Sequence, residues 1–462
     1  MKKGLFRILF ANIFYLLIVA GTNFILPKFV DVEIYAAIKE YTLYITTYAG
    51  ISTLGYTQGI YVKYGGKDIE TLDPKTVGTS LFSFFVFMLP IAIGVSAWGI
   101  LAHNPILSVV GAGLLSTNMG SFYQLFYQAT GDFKSYGTAL NASRILMLAA
   151  YLALIFIVRT DSLLAYVGIA PLVGLITAIY LTIKLNQHLP LIRNMSFQFK
   201  EITSNIRGGF VLMLGGFVSS YFTSIDRWFV KALTTTLHFA LYSFAVSMEH
   251  MVNTLMTPIT VSMYNIFCKK PDLASVRKIK DSALIYAFVI IACAFPLKWI
   301  LEIFLPNYLD ATNIMFFLFA AQGFSSIVRG VYVNKYKAEG KQKLYLIQMI
   351  AMLALGVALN AVLYAIWPNI NAFAVATLIV NIVWLVVCEW REPAMRYDWR
   401  GIVSMAILLI VYLLAGGCLP AILGCLLYLG VGVVVGLSLM RKSFLETVKS
   451  IWDSVFGKFK KK

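Results

Sequence analysis

Residues 219–265, SSYFTSIDRWFVKALTTTLHFALYSFAVSMEHMVNTLMTPITVSMYN, hold two long apolar segments carrying charges that an apolar helix does not need. The second segment decides the reading. At 1.5 Å of rise per residue, Glu249 and His250 lie roughly 18 Å from a helix start near Leu237, about the midplane of a hydrocarbon layer of roughly 30 Å. At 100° per residue, Tyr242, His250, Asn253, Thr257, Thr260 and Tyr264 share a stripe about 100° wide with Glu249, although Phe239 and Val246 intrude and Ser243 and Ser247 fall outside. An ionisable group turned to lipid costs several kcal/mol, so the stripe is expected to face a polar cavity inside a helix bundle. A hydrogen-bond network between packed helices is the competing reading.

The surrounding chain agrees with a membrane bundle. Its 462 residues are 60% hydrophobic and 13% charged, with a mean hydropathy of +0.79, outside the range of soluble domains. Apolar blocks of span length follow one another, and the longest polar interval, Lys184 to Arg207, is too short for a folded domain. The net charge of +17 is distributed by loop. Alternate flanks hold 31 of the Lys and Arg residues against 6 on the intervening flanks, with Arg329 left inside a span. That asymmetry places both termini in the cytoplasm and gives the charge a topological rather than a nucleic-acid role. Five cysteines without CxxC spacing and four histidines without HExxH spacing predict no metal site, and no cofactor motif is present. Gly65 to Lys67 lacks the leading glycine of a phosphate-binding loop, so uphill transport is expected to draw on an ion gradient or on consumption of product.

Fourteen spans can be placed between residues 7 and 440, and the first twelve repeat at an offset of about 200 residues. Arg7 and Arg207 each open a span with phenylalanine three residues on, and Leu43-Tyr44 corresponds to Leu241-Tyr242. Pro90 and Pro296 lie inside corresponding spans, and the turns YQATGDFK (127–134) and YKAEGKQK (336–343) share Y-x-A-x-G-x-x-K. A repeat of six spans keeps its orientation, so two six-helix lobes related by a pseudo-two-fold axis along the membrane normal are expected. The fold class is an all-α polytopic membrane protein of about 14 helices. It divides into an N-lobe (1–184), a cytoplasmic linker (185–205), a C-lobe (206–392), two extra spans (393–440) and a basic amphipathic tail (441–462) that lies on anionic lipid.

In the second span, Tyr41, Tyr44, Tyr48, Ser52, Gly55, Gly59 and Lys63 fall on one helical face, which makes Tyr44 and Tyr48 candidates for sugar contact as well as for packing. Mid-span Asn118 and Asn381 are expected to bond between helices. Lys298 and Glu302, at i and i+4, predict a local ion pair.

The repeat, the YQATGDFK turn, the Asp226-Arg227 pair within SSYFTSIDRWFVKAL and the LPNYLDA turn (305–311) together resemble the polysaccharide flippases, the Wzx-type branch of the multidrug/oligosaccharidyl-lipid/polysaccharide exporter superfamily. The resemblance covers spans 1 to 12. It implies a bacterial inner-membrane protein with a central cavity. Its task would be to flip undecaprenyl-pyrophosphate-linked oligosaccharide to the outer leaflet for O-antigen, capsule or exopolysaccharide synthesis, beside glycan polymerase and ligase machinery. Such a substrate asks for arginines at its pyrophosphate, with Arg7, Arg144, Arg207, Arg227 and Arg329 the candidates, and for aromatic and polar groups at its sugars, with Tyr44, Tyr48 and Asn253. Snorkelling to lipid phosphates is the other reading of those arginines. Glu249, Asp226 and His250 are the candidates for coupling to H+ or Na+, His250 the poorer one at the edge of its stripe. A cation-coupled multidrug antiporter and a lipid II flippase share the fold. The antiporter reading is weakened because residues 10–26 hold no carboxylate. A membrane glycan polymerase, the enzymatic alternative, needs larger outward loops than this chain has.

Overall fold

The computed structural model describes residues 18–269 and 272–455, with no account of the side chains at 133–135, 255–262, 265 and 450–455; Arg7, most of the first expected span, Lys270 and the end of the tail lie outside. Among the described residues, regular structure is helical throughout. Contacts divide the chain into two compact units, one ending at Ser224 and the other beginning at Ile225. The first contains α1 (18–29), α2 (Val32–Ser52), α3 (Tyr56–Tyr64), α4 (Pro74–Leu101), α5 (Pro105–Thr130), α6 (Phe133–Ala153), α7 (Leu163–His188) and α8 (Phe199–Phe222). The second contains α9 (Ile225–Leu233), α10 (Thr236–Phe267), α11 (Leu273–Ile291), α12 (Ala294–Phe304), α13 (Ala311–Ile327), α14 (Asn334–Ala338), α15 (Gln342–Ile366) and α16 (Asn371–Arg391). It ends with α17 (Trp399–Cys418), α18 (Ala421–Leu439) and α19 (Arg441–Val455).

Ten continuous helical stretches among the described residues are long and apolar enough to cross a membrane, or eleven if α8 and α9, broken at Thr223–Ser224, are taken as one span. The chain is therefore an all-α multi-pass membrane protein. The sequence pattern treats the second span as one straight helix, but Leu54 (φ 50°) and Gly55 (φ 93°) are both left-handed, which ends α2 and redirects α3. Gly55, Gly59 and Lys63 consequently do not continue the face of Tyr44 and Tyr48; they turn to α8. A Cβ on Gly59 would meet the Asn205 backbone and one on Gly209 the backbone of Gly55 and Gly59, so only glycine permits this approach. Small residues hold helices together where lipid provides no hydrophobic drive. Lys63 Nζ lies 2.5 Å from Glu201 Oε1, which also accepts from Ser80 Oγ (2.6 Å) and Asn205 Nδ2 (2.8 Å). Gly59→Leu should overpack this contact and destabilise the protein by about 1–3 kcal/mol, read as a lower Tm in detergent. An unchanged Tm would mean that α3 and α8 do not approach this closely.

The repeated turns share a conformation as well as a motif. Gly131 (φ 82°) and Gly340 (φ 72°) are both left-handed, and the tyrosine four residues before each, Tyr127 and Tyr336, is buried. The repeated prolines differ in effect. Pro90 lies inside the unbroken α4, whereas the helix before Pro296 ends at Ile291 and resumes at Ala294. Asn118 bonds between helices as expected, donating to Ser52 Oγ (2.8 Å), but Asn381 donates to Thr377 O (2.8 Å) of its own helix. Lys298 is not paired with Glu302. Its ammonium donates instead to the carbonyls of Gly416 and Leu419 (both 2.8 Å), at the end of α17 where the last carbonyls lack partners within the helix and the helix dipole favours a cation.

The other end of α17 is tied down through Lys280, which is 1% exposed. Its ammonium contacts Glu389 (3.1 Å), the Met395 carbonyl and the face of Tyr397 (3.5 Å to the centroid), while Tyr332 and the Tyr397 N–H also donate to Glu389. The amphipathic tail helix rests on protein too. Ser443 donates to Asp281 (2.8 Å), Thr447 Oγ1 donates to Ser282 Oγ (3.1 Å), and Lys278 pairs with Glu446 at 2.6 Å, holding that carboxyl below its ordinary range.

Candidate functional site

The charges quoted at the outset come together inside the second unit. Asp226 stands in the first turn of α9, where amide dipoles favour a carboxylate, and is 5% exposed. Tyr242 of α10 donates to its Oδ2 at 2.7 Å, Thr377 of α16 reaches the same oxygen at 3.5 Å, and the Arg227 N–H donates to Oδ1 at 2.8 Å. Arg227 is 7% exposed and its Nε has no hydrogen-bond partner. The charges of Asp226 and Glu249 both act on its guanidinium.

Glu249, two turns of α10 beyond Tyr242, is half-buried and lies within the field of Arg329, Asp226 and Arg227. Two carboxylates and two arginines thus lie within one another's electrostatic reach, which offsets part of the cost of keeping ions in an apolar surrounding. Arg329 belongs to a π-helical turn, Val328–Val333, inserted between α13 and α14. The wider turn moves the residues beyond it out of helical register, a device that often marks a functional position in a span. His250 is different: its side chain is 50% exposed and its Nδ1 is 3.8 Å from the Glu249 carboxylate. Asn253, one turn further, accepts a 2.8 Å bond from Gln322 Nε2 of α13.

Sequence reasoning named Arg329 but missed its neighbours. Gln322, Ser325 and Ser326 are buried and stand one to two turns before it, so span 10 carries a polar stripe at i, i+3, i+4 and i+7. That spacing is legible in the sequence. Asn360 and Asn381, on two of the helices that pack against α9, each spend Nδ2 on a carbonyl of their own helix. Their Oδ1 atoms are left buried without a donor. Carboxylate, hydroxyl and amide oxygens are the ligands that hard cations take, and these groups are the second unit's supply of them. Among the described residues no group of three or more His, Cys, Asp or Glu side chains stands together.

In the first unit, Tyr44 and Tyr48 stack with ring centroids 6.3 Å apart. They line a cavity of about 570 Å³ with Trp98, Ser52 and Gly94. Arg144 Nη1 donates to Asn141 Oδ1 at 3.4 Å, and Arg207 is exposed on α8. The structure therefore gathers Asp226, Arg227, Glu249 and Arg329 in one unit and places Tyr44, Tyr48 and Arg144 in the other.

No protein-family model matches the chain, and no curated protein sequence does. Solved structures do match it in fold. The structure titled "Lipid II flippase MurJ, inward closed conformation" is similar with a TM-score of 0.64 and 13% identity, covering 94% of this chain and 98% of that one. An inward-facing multidrug resistance MATE family transporter of the MOP superfamily is similar with a TM-score of 0.58 and 12% identity, over 83% of this chain and 95% of that one. At these identities the likeness is one of fold, and the fold is that of multi-pass flippases and transporters.

Proposed function

We propose that the chain is a flippase that moves an undecaprenyl-pyrophosphate-linked oligosaccharide across the bacterial inner membrane by alternating access, coupled to a cation gradient, in O-antigen, capsule or exopolysaccharide synthesis. The observation that carries this reading is the grouping of the buried Asp226 and Arg227 with the half-buried Glu249 and Arg329 within a transporter-like fold. Ionisable groups at such depth are expensive to keep and serve translocation or coupling. Asp226, with Thr377 beside it, and Glu249 are the groups that would hold the coupled H+ or Na+; His250, its side chain half exposed and at the edge of its stripe, is the lesser candidate. The paired tyrosines at the 570 Å³ cavity suit a sugar face. Both termini are cytoplasmic in this reading, on the strength of the charge asymmetry, and the product passes to polymerase and ligase machinery.

The fold likeness to MurJ gives a second reading, a lipid II flippase, whose cargo also has a polyprenyl tail, a pyrophosphate and a polar head. The test is flipping in proteoliposomes with three cargoes: a fluorescent undecaprenyl-pyrophosphate oligosaccharide, lipid II and a cationic dye. Movement of the oligosaccharide lipid is expected. Movement of the dye alone would replace the reading with an antiporter, and movement of lipid II alone would replace it with the second reading.

Within this assay Arg329→Ala should reduce flipping about tenfold, whereas Arg329→Lys retains part of it, because lysine keeps the charge but loses the bidentate geometry toward phosphate. Full flipping by the alanine variant, at equal protein in the membrane, would leave Arg329 only its electrostatic contact with Glu249.

A further inference from the structure

In the second unit α13 packs against both α16 and α17, and residues of the three line a cleft of about 450 Å³. Its apolar walls include Leu385 and Val386 of α16, Ile402, Ala406 and Leu409 of α17, and the buried Phe324 of α13. At 1.5 Å of rise per residue, the lining from Ile382 to Trp390 runs about 12 Å along α16, most of the roughly 15 Å depth of one leaflet's hydrocarbon. Val386 and Ile402 are more than half exposed, and both helices are of membrane-spanning length. The cleft therefore opens sideways, where a membrane presents acyl chains.

One end of the cleft is polar. It is formed by Glu389, Trp390, Arg396 and Tyr397, at the connection between α16 and α17. That connection is firmly held: Arg277 donates to the Ala394 carbonyl (3.0 Å), Lys280 to that of Met395, and Tyr397 N–H to Glu389 (2.6 Å). Met395 and Tyr397 are buried, while Arg396 between them is exposed and lines the cleft. On either side in the chain, Arg391 lies 5.9 Å from the Trp390 ring centroid and Arg400 5.6 Å from that of Trp399. Both tryptophans are about two-thirds exposed, the placement of aromatic anchors at the level of lipid headgroups.

The charge at this end is one-sided. Of the nearby carboxylates, Glu389 is bound by Lys280, Tyr332 and the Tyr397 N–H, and Glu392 is paired with Lys335 at 2.8 Å. Asp398 caps α17 by accepting from the Gly401 N–H at 3.0 Å. Among the described residues none of Arg391, Arg396 and Arg400 is ion-paired, so three guanidinium groups stand against that single capping carboxylate. Guanidinium groups pair with phosphate oxygens, and basic pockets between spans on the cytoplasmic side hold anionic lipid heads. A choline or ethanolamine head would bring its own cation toward the same arginines, and a free phosphate would leave the apolar walls unused.

We propose that this cleft is a binding site for one anionic phospholipid, its phosphate at Arg396 with Arg391 and Arg400 beside it and an acyl chain between α16 and α17. The bound lipid would join the extra spans to the rest of the second unit. The site does not rest on the flippase reading.

Binding is measured on the purified full-length protein in mild detergent by native mass spectrometry, with phosphatidylglycerol and phosphatidylcholine of the same acyl chains. One phosphatidylglycerol should bind at least tenfold more tightly than phosphatidylcholine. Arg396→Gln should weaken it about fivefold, and Gln at Arg391, Arg396 and Arg400 together on the order of a hundredfold. Arg396→Lys, which keeps the charge, should stay within about threefold of the natural protein, as should Lys343→Gln at an exposed position outside the cleft. Ala406→Phe, which fills the apolar wall and leaves every charge in place, should weaken binding at least fivefold; this variant tests the cleft even if the triple variant does not fold. The proposal is overturned if the two lipids bind alike, or if Arg396→Gln binds phosphatidylglycerol like the natural protein. Full binding by Ala406→Phe would overturn it too, by reducing the site to surface charge. Displacement of phosphatidylglycerol by equimolar undecaprenyl phosphate would assign the cleft to a polyprenyl tail and overturn the phospholipid.

Discussion

Glu249→Gln should leave the protein folded and in the membrane, yet remove at least nine-tenths of the flipping driven by an imposed ion gradient. Glutamine has nearly the shape of glutamate and keeps a hydrogen-bonding oxygen, so packing around α10 is preserved. What it loses is the capacity to change charge or to hold a cation. Glu249 sits in the field of Arg329, Asp226 and Arg227, so any change of its charge is felt by all three. Glu249→Asp keeps the charge on a shorter arm and should retain part of the response. Proteoliposome flipping, with and without the gradient and with protein amount checked for each variant, decides the matter. A full gradient response from the glutamine variant would reduce Glu249 to a wall residue balancing the arginines, the hydrogen-bond-network reading of the same stripe.

The stripe on α10 was legible because it depends only on helical spacing and on the cost of a charge at depth. The pairing of Asp226 with Tyr242 was not, since it joins two helices through a chain turn between Leu233 and Thr236 whose course no periodicity reports. The break after Ser52 escaped for a related reason. Only Gly55 hints at it, while Leu54 adopts a positive φ against its own preference, held there by the close packing of α3 on α8. Lys298 shows the limit of local rules: i, i+4 spacing offers Glu302, and the folded chain offers two carbonyls 118 and 121 residues away. Lys39 is one of the six cations on the intervening flanks, and nothing in the order of residues indicates that it lines the same cavity as Arg144 of α6.

The largest stability effect should come from the adjacent pair at the start of α9. Arg227→Met removes the guanidinium that balances Asp226 and leaves a carboxylate that is 5% exposed without its nearest counter-charge. Asp226 and Arg227 offset each other through the field and not in a direct ion pair, so the loss is expected to reach at most the about 3–5 kcal/mol that breaking a bonded buried pair costs, a fall in Tm of up to about 10 °C for a unit of this size. Removing both charges costs less, because no ion is then stranded. In Asp226→Asn with Arg227→Met, the amide oxygen still accepts from Tyr242, so the double variant should recover most of the lost Tm. Transport separates the two roles of the pair. If Asp226 holds the coupled cation, the double variant is stable and does not respond to the gradient, because a neutral amide binds a cation far less strongly than a carboxylate does. If the pair only joins α9 to α10 and α16, the double variant recovers transport together with Tm, and coupling then rests on Glu249 alone.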